Sequence, residues 1–167
     1  MANLKTRHPK LTGLGKWVHD SQRLLDWIGT QPEFDSKRIG IIGHSLGGKM
    51  ALYATAFDSR IAVGVASEPG IGLSFSNYED FWYLGESLDK SRDHHELLAL
   101  IAPRPFLLIG GDSADNDKSW HYINAARAAY SAPERLGYLN HRKGHSPTPD
   151  SIAAAMDWLE HYLAQIR

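Results

Sequence analysis

The chain has 167 residues and a formal net charge of −1, with 18 Lys and Arg against 19 Asp and Glu. This length is typical of one domain that buries a real core, and the balanced charge offers no broad basic surface to nucleic acid. The chain has no cysteine, which excludes disulfides, iron–sulfur clusters, thiolate zinc sites and cysteine nucleophiles.

The N-terminal part of the chain predicts an arm followed by a helix. Residues 1–13 contain Pro9, Gly13 and several basic side chains, which favour an irregular arm. These residues have no signal-peptide core, and no apolar run in the chain approaches the roughly 20 residues of a membrane span. We therefore expect a cytoplasmic protein with no membrane partner. From Leu14 to Ile28, apolar residues recur at helical spacing and predict an amphipathic helix over about 14–29.

Strands and helices alternate in the rest of the chain. Short apolar runs with β-branched residues predict strands that are buried in a sheet, and the segments between them predict helices. The predicted strands are residues 38–43, 61–66, 105–110 and 135–140, and the predicted helices are residues 46–57, 93–101, 117–131 and from about 150 onwards. This alternation predicts one α/β domain with a small, mainly parallel sheet of about four strands flanked by helices.

One irregular insert, residues 68–91, interrupts the alternation and is rich in aromatic side chains, Trp82 among them. Clustered aromatic residues commonly form extra core. The insert also leaves the carboxyl end of a strand, where open α/β sheets bind ligands. We therefore expect either additional core or a cap-like wall over a pocket, with Trp82 as a candidate substrate contact.

The motif Gly43-His44-Ser45-Leu46-Gly47-Gly48 lies between a predicted strand and a predicted helix. It fits the G-x-S-x-G pattern of a nucleophile elbow, in which a strained turn exposes a serine at the end of a sheet. Glycines are expected on both sides because neighbouring side chains would collide in such a turn. Leu46 would offer its N–H at a helix N-terminus to a developing oxyanion.

A serine nucleophile needs a base, and His145 is the favoured one among the nine histidines. It follows the fourth predicted strand and precedes the last helix, in the chain order Ser, acid, His. His141 is the nearby alternative, and His44 is expected to have a packing role.

The acid that would orient this base is not fixed by spacing alone. Asp112, Asp115 and Asp117 follow the third predicted strand, and Glu68 stands at the end of the second. Any of the aspartates could instead cap the helix that follows, most obviously Asp117. Glu68 could equally be a solvated loop carboxylate.

From about Leu14 to its end, the chain resembles the C-terminal part of an α/β-hydrolase. The resemblance is carried by Gly-His-Ser-Leu-Gly-Gly, by Leu-Ala-Leu-Ile-Ala-Pro-Arg-Pro at residues 98–105, and by Gly144-His145. The branch it resembles includes dienelactone-hydrolase-like proteins, acetyl xylan esterases and glucuronoyl esterases. It implies a serine carboxylic ester hydrolase that needs no cofactor or metal and acts on a small-molecule or carbohydrate-linked ester.

The resemblance also bears on individual residues. The family usually places its acid after the strand that follows Ala-Pro-Arg-Pro, which favours Asp115. Glucuronoyl esterases can instead carry a Glu within Glu-Ser-Gly, which Glu68-Pro69-Gly70 resembles. Lys49 matches a sugar-contacting lysine of those enzymes. Leu46 stands where they carry Arg, so the resemblance supports ester hydrolysis in general more firmly than glucuronoyl esterase activity.

A complete α/β-hydrolase has several strands before its nucleophile strand, whereas one helix and one strand are predicted before Ser45. We therefore expect one shortened domain over residues 1–167, with a free edge on the nucleophile strand that a homo-oligomer covers. An early loop of the fold normally supplies a second oxyanion N–H. The alternative function is thus a non-catalytic fragment or interaction module that lacks a complete oxyanion hole.

Overall fold

The computed structural model describes residues 6–166. Within that range, four strands form one sheet: β1 (Ile39–His44), β2 (Ile61–Ser67), β3 (Phe106–Gly110) and β4 (Leu136–Asn140). The strands lie in the order β1-β2-β3-β4, and every neighbouring pair is parallel. This arrangement confirms the predicted small parallel sheet.

Five α-helices lie wholly within the described residues and flank the sheet: α1 (Gly13–Ile28), α2 (Leu46–Phe57), α3 (His95–Ile101), α4 (Trp120–Ala126) and α5 (Pro149–Leu163). The predicted helix over 117–131 is broken into α4 and two flanking 3-10 turns, Asp117–Ser119 and Arg127–Ala129. Of the predicted arm, residues 1–5 lie outside the described residues, and residues 8–12 are turn and coil. No helix in the described part of the chain has the length and apolarity that crossing a membrane requires.

The core has two layers because side chains alternate along each strand. In β3, Leu107 and Ile109 pack with Val63 and Val65 against α5. Phe106 and Leu108 point to the opposite face, where they join the larger core beneath the remaining helices. The sheet is therefore covered by α5 on one face and by the other helices on the opposite face.

The aromatic insert divides between core and surface. Tyr78 is completely buried, and Phe75 and Tyr83 pack against the core around it. Phe81 and Trp82 are half exposed and contact each other, with ring centroids 4.3 Å apart. The insert thus provides both extra core and an exposed surface.

β1 lies at the edge of the sheet and none of its residues is buried, so the prediction that this strand is buried is wrong. Within residues 6–166, β1 pairs with β2 on one side and with no strand on the other. The side chain of Ile42 is 49% exposed as a result. The unpaired edge agrees with the expectation of a free side on this strand.

Candidate active site

The carboxyl ends of the parallel strands bring the site residues together at one edge of the sheet. Ser45 directly follows β1, Glu68 directly follows β2, and His145 lies five residues after β4. His44, Ser67 and Ile109 are neighbours across the first three strands, so the loops that follow them start side by side. This position is where open α/β sheets bind their ligands.

Ser45 has the backbone of a nucleophile elbow. Its φ of 56° and ψ of −117° lie outside the backbone regions that residues other than glycine normally adopt. The turn is held because Ser45 N–H donates to the carbonyl of Ser67 at 2.7 Å. A strained residue between a strand and a helix is the context that gives the G-x-S-x-G motif its meaning.

The glycines around Ser45 differ in what they allow. A Cβ on Gly43 would lie 2.0 Å from the carbonyl oxygen of Gly47, and a Cβ on Gly48 would lie 2.8 Å from that of Ser67. A Cβ on Gly47 would meet nothing within 4 Å. The steric need for glycine therefore holds at Gly43 and Gly48, and the expectation of a collision at Gly47 is wrong.

The hydroxyl of Ser45 lies at the end of a continuous hydrogen-bonded line. Its Oγ is 2.9 Å from Nε2 of His145, and Nδ1 of the same ring is 3.1 Å from Oε2 of Glu68. Glu68 is buried, whereas the side chain of His145 is 45% exposed. When Nδ1–H donates to Glu68, the lone pair of Nε2 faces the serine, which is the tautomer that a base requires.

The favoured acid, Asp115, does not contact His145, and this choice is corrected. The Asp115 carboxylate is completely buried and accepts hydrogen bonds from Gly70 N–H at 2.6 Å, Ile71 N–H at 2.9 Å and the Ser119 hydroxyl at 2.9 Å. Burial raises its pKa above the usual value. These bonds direct the side chain of Asp115 back to the insert that follows β2.

Glu68 meets His145 because of its backbone. Its φ of 51° turns the side chain across the end of β3, where it accepts N–H groups from Gly111, Ala114 (2.6 Å) and Asp115 (3.2 Å). The two acids thus brace each other's loops: Glu68 binds the loop after β3, and Asp115 binds the loop after β2. The motif Glu68-Pro69-Gly70 indicated in the sequence that Glu68 could be the acid. No local sequence pattern indicates that Glu68 and Asp115 each bind the loop that carries the other.

The other candidates lie apart from the Ser45–His145 pair. Asp112 accepts a hydrogen bond from Asn140 at 2.6 Å, and Asp117 forms an exposed ion pair with Arg142. His141 accepts the Lys143 N–H through Nδ1 at 3.2 Å. None of these contacts reaches Ser45.

Leu46 is the first residue of α2, so its N–H is one of the helix-terminal donors that have no acceptor within the helix. That position agrees with the expected oxyanion donor, whose role stays a prediction. Among residues 6–166, no group of three or more His, Asp or Glu side chains is arranged to hold a metal ion.

Comparison with known proteins identifies the fold. The sequence family described as "Glucuronyl esterase, fungi" matches residues 6–76. The structure superposes on a carbohydrate esterase family 15 (CE15) glucuronoyl esterase from Caldicellulosiruptor kristjansonii with a TM-score of 0.77 and 27% identity, over 92% of this chain and 51% of that one. The chain belongs to the α/β-hydrolase superfamily.

Curated relatives agree with this assignment. The α/β-hydrolase is 30% identical to YtaP of Bacillus subtilis (strain 168), which is named a hydrolase, over 92% of this chain and 56% of that protein. It is 31% identical to 4-O-methyl-glucuronoyl methylesterase 1 of Wolfiporia cocos (strain MD-104), over 81% of this chain and 42% of that protein. The chain thus spans about half the length of each of these two relatives.

Lys49 of this α/β-hydrolase does not project into an open site, contrary to the expected sugar contact. Only 5% of the residue is exposed, and its Nζ donates to the carbonyl of Pro69 at 2.5 Å and to Ser76 Oγ at 2.8 Å. The ammonium also lies 3.8 Å from the ring centroid of Tyr78. Burial lowers the pKa of Lys49 to about 8. Lys49 therefore ties α2 to the insert.

An open cleft of about 690 Å³ borders His145. Four of its lining residues carry a hydroxyl or amide group, and one carries a phenyl ring. The lining residues are Ser74, Phe75, Ser76, Asn77, Ser113, Ala114 and His145. Trp82 is not part of this lining, and its expected contact with substrate stays a prediction. The insert reaches the cleft through residues 74–77 instead.

Proposed function

We propose that this α/β-hydrolase hydrolyses carboxylic esters, with Ser45 as nucleophile, His145 as base and Glu68 as the orienting acid. The observation that carries the proposal is the hydrogen-bonded line from Ser45 Oγ through both ring nitrogens of His145 to the buried Glu68 carboxylate. A serine hydroxyl is a poor nucleophile until a positioned base removes its proton, and this line supplies that base.

The reaction follows from the geometry. Ser45 Oγ attacks the ester carbonyl carbon while its proton moves to Nε2 of His145, and the Leu46 N–H stabilises the oxyanion. Collapse of the tetrahedral intermediate breaks the bond to the alkoxy oxygen, which leaves as an alcohol with the proton from Nε2. Water then attacks the acyl-enzyme, gives its proton to Nε2, and releases the acid and the free Ser45 hydroxyl. The charge of Glu68 stabilises the imidazolium in both steps.

We propose a carbohydrate-linked ester as the substrate. Two observations support this class: the relatives include proteins named glucuronoyl esterases, and the cleft beside His145 presents hydroxyl and amide groups with one aromatic ring. Hydroxyl and amide groups form hydrogen bonds with sugar hydroxyls, while Phe75 offers an apolar face.

The nucleophile assignment is tested with a fluorophosphonate probe and a short p-nitrophenyl ester. Wild-type protein should be labelled covalently and should release p-nitrophenol. Ser45→Ala, checked for wild-type folding by circular dichroism, should do neither, because members of a triad act as a unit. Labelling of folded Ser45→Ala, or no labelling of folded wild type, would overturn the proposal. A panel of neutral alkyl esters and sugar esters tests the substrate class, with a higher kcat/KM expected for the sugar esters.

We also propose that a second copy of the chain covers the free edge of β1. The edge is bordered by exposed apolar side chains on the α5 side, namely Ile42, Ile152 and Met156. A two-fold axis perpendicular to the sheet would pair two β1 edges antiparallel and keep equivalent faces together. With Ile42 near that axis, the apolar side chains of both copies would meet.

Light scattering tests this self-association. A mass near twice 18.6 kDa at micromolar concentration is expected for wild type, and Ile42→Lys should give a monomer because it places two like charges close together. The surface variant Ala153→Lys, which changes an exposed position on α5, is a control for added charge. A wild-type monomer at these concentrations would refute the proposal.

A further inference from the structure

His44 lies against the proposed catalytic base and has no part in the proton transfers described above. It is the last residue of β1 and directly precedes Ser45. The ring centroids of His44 and His145 are 4.8 Å apart, with 49° between the ring planes. One face of the exposed His145 side chain is thus covered by a second imidazole.

The His44 ring is itself fixed by Ser67, the last residue of β2. Nδ1 of His44 lies 3.1 Å from Ser67 Oγ, and the carbonyl of Ser67 accepts the Ser45 N–H. Ser67 is buried. One residue therefore holds both the nucleophile backbone and the ring beside the base, and the next residue, Glu68, holds the base itself.

Space exists for the His44 ring to move if that bond is lost. A cavity of about 230 Å³ adjoins His44 and Ser67, and apolar side chains of α5 and β3 line it, including Ile109 and Ile152. A ring that is hydrogen bonded at both nitrogens, as His145 is, can still tilt about the line joining its two partners. A fixed neighbour on one face opposes that tilt.

From these contacts we infer that His44 is a positioning residue, whose ring, anchored by Ser67, holds His145 in line with Ser45. The inference rests on the proposed function. Burial is the main cause that lowers the pKa of His44, with the neighbouring His145 and His141 acting in the same direction and Glu68 opposing them. A neutral His44 adds no charge repulsion when His145 becomes an imidazolium.

The test compares two substitutions of His44 by the kinetics of p-nitrophenyl ester hydrolysis. His44→Ala removes the ring face and should lower kcat by about 10- to 100-fold with KM within about threefold, since a small misplacement of a base can cost a factor of that order. His44→Phe restores a planar ring without the bond to Ser67, so its loss of kcat should be smaller than that of His44→Ala and close to the roughly 3- to 10-fold loss expected for Ser67→Ala. His161→Ala, at an exposed position on α5, is the matched control and should equal wild type.

A second variant keeps the inference testable if His44→Ala does not fold. Ser67→Ala retains the imidazole but frees it toward the adjoining cavity, and kcat should fall by roughly 3- to 10-fold, again with little change in KM. Wild-type kcat in His44→Ala, or an equal loss in His44→Ala and His44→Phe with unchanged melting temperatures, would overturn the inference. Failure of the proposed function is distinguishable, because folded wild type would then give no Ser45-dependent hydrolysis at all.

Discussion

Replacing Glu68 with Gln should disable the base without removing any atom of the contact network. Glu68 Oε1 accepts the N–H groups of Gly111 and Asp115, while Oε2 accepts the Ala114 N–H and faces Nδ1 of His145. A Gln side chain has one carbonyl oxygen and one NH2 group. With the oxygen facing the first pair of donors, the NH2 points at Ala114 N–H and at His145.

The expected loss follows from this donor-to-donor contact. Nδ1 of His145 must give up its hydrogen to accept one from the NH2 group, so Nε2 carries the proton and cannot take that of Ser45. A wrong tautomer in a serine triad costs about 10⁴ in kcat, and we expect about 10³ to 10⁴ here. That loss corresponds to about 4 to 5.5 kcal/mol in the activation barrier.

Steady-state kinetics on folded Glu68→Gln measures this effect, with Asp115→Asn as the matched control. Asp115 is equally buried but reaches only Gly70, Ile71 and Ser119, so Asp115→Asn should lower the melting temperature and change kcat by less than about 10-fold. Labelling by the fluorophosphonate should be slower in Glu68→Gln than in wild type and should be unchanged in Asp115→Asn. A large loss of kcat in Asp115→Asn together with near wild-type kcat in Glu68→Gln would refute the assignment of the acid.

Three further predictions concern the elbow and two buried bases. Gly43→Ala should abolish activity or folding because its Cβ would lie 2.0 Å from a backbone oxygen, whereas Gly47→Ala should keep both. Equal effects of the two substitutions on activity and on thermal melting would contradict this prediction. Burial lowers the pKa of His94 from 6.5 to about 4, so between these pH values the unfolded chain binds a proton that the folded chain does not. The free energy of unfolding should therefore be highest above pH 6.5 and fall by about 3 kcal/mol as the pH drops toward 4. Urea titrations at several pH values should show this loss in wild type and a smaller one in His94→Gln. Lys49→Met leaves Pro69 O and Ser76 Oγ without their donor, so KM for a sugar ester should rise several-fold while fluorophosphonate labelling persists. An unchanged KM would show that the cleft wall does not depend on Lys49.

Local sequence determined the architecture and two of the three residues in the proposed triad. Runs such as Phe106–Gly110 are too apolar to lie anywhere but in a covered sheet, and the intervening helices make that sheet parallel. Since parallel strands end at a common edge, Ser45 after β1 and His145 after β4 were expected near each other from their positions in the chain alone. The elbow required Gly43, which the motif identified.

The tertiary structure decided the acid, because several carboxylates stand at strand ends and sequence does not specify which backbone N–H groups each accepts. Asp115 is held by the loop after β2, and the positive φ of Glu68 turns its side chain to His145. The same reasoning applies to Lys49, which was expected to bind substrate. Its ammonium group is bound instead by the carbonyl of Pro69 and the hydroxyl of Ser76, which lie 20 and 27 residues away in the chain. These groups come close to Lys49 only when the insert folds over α2.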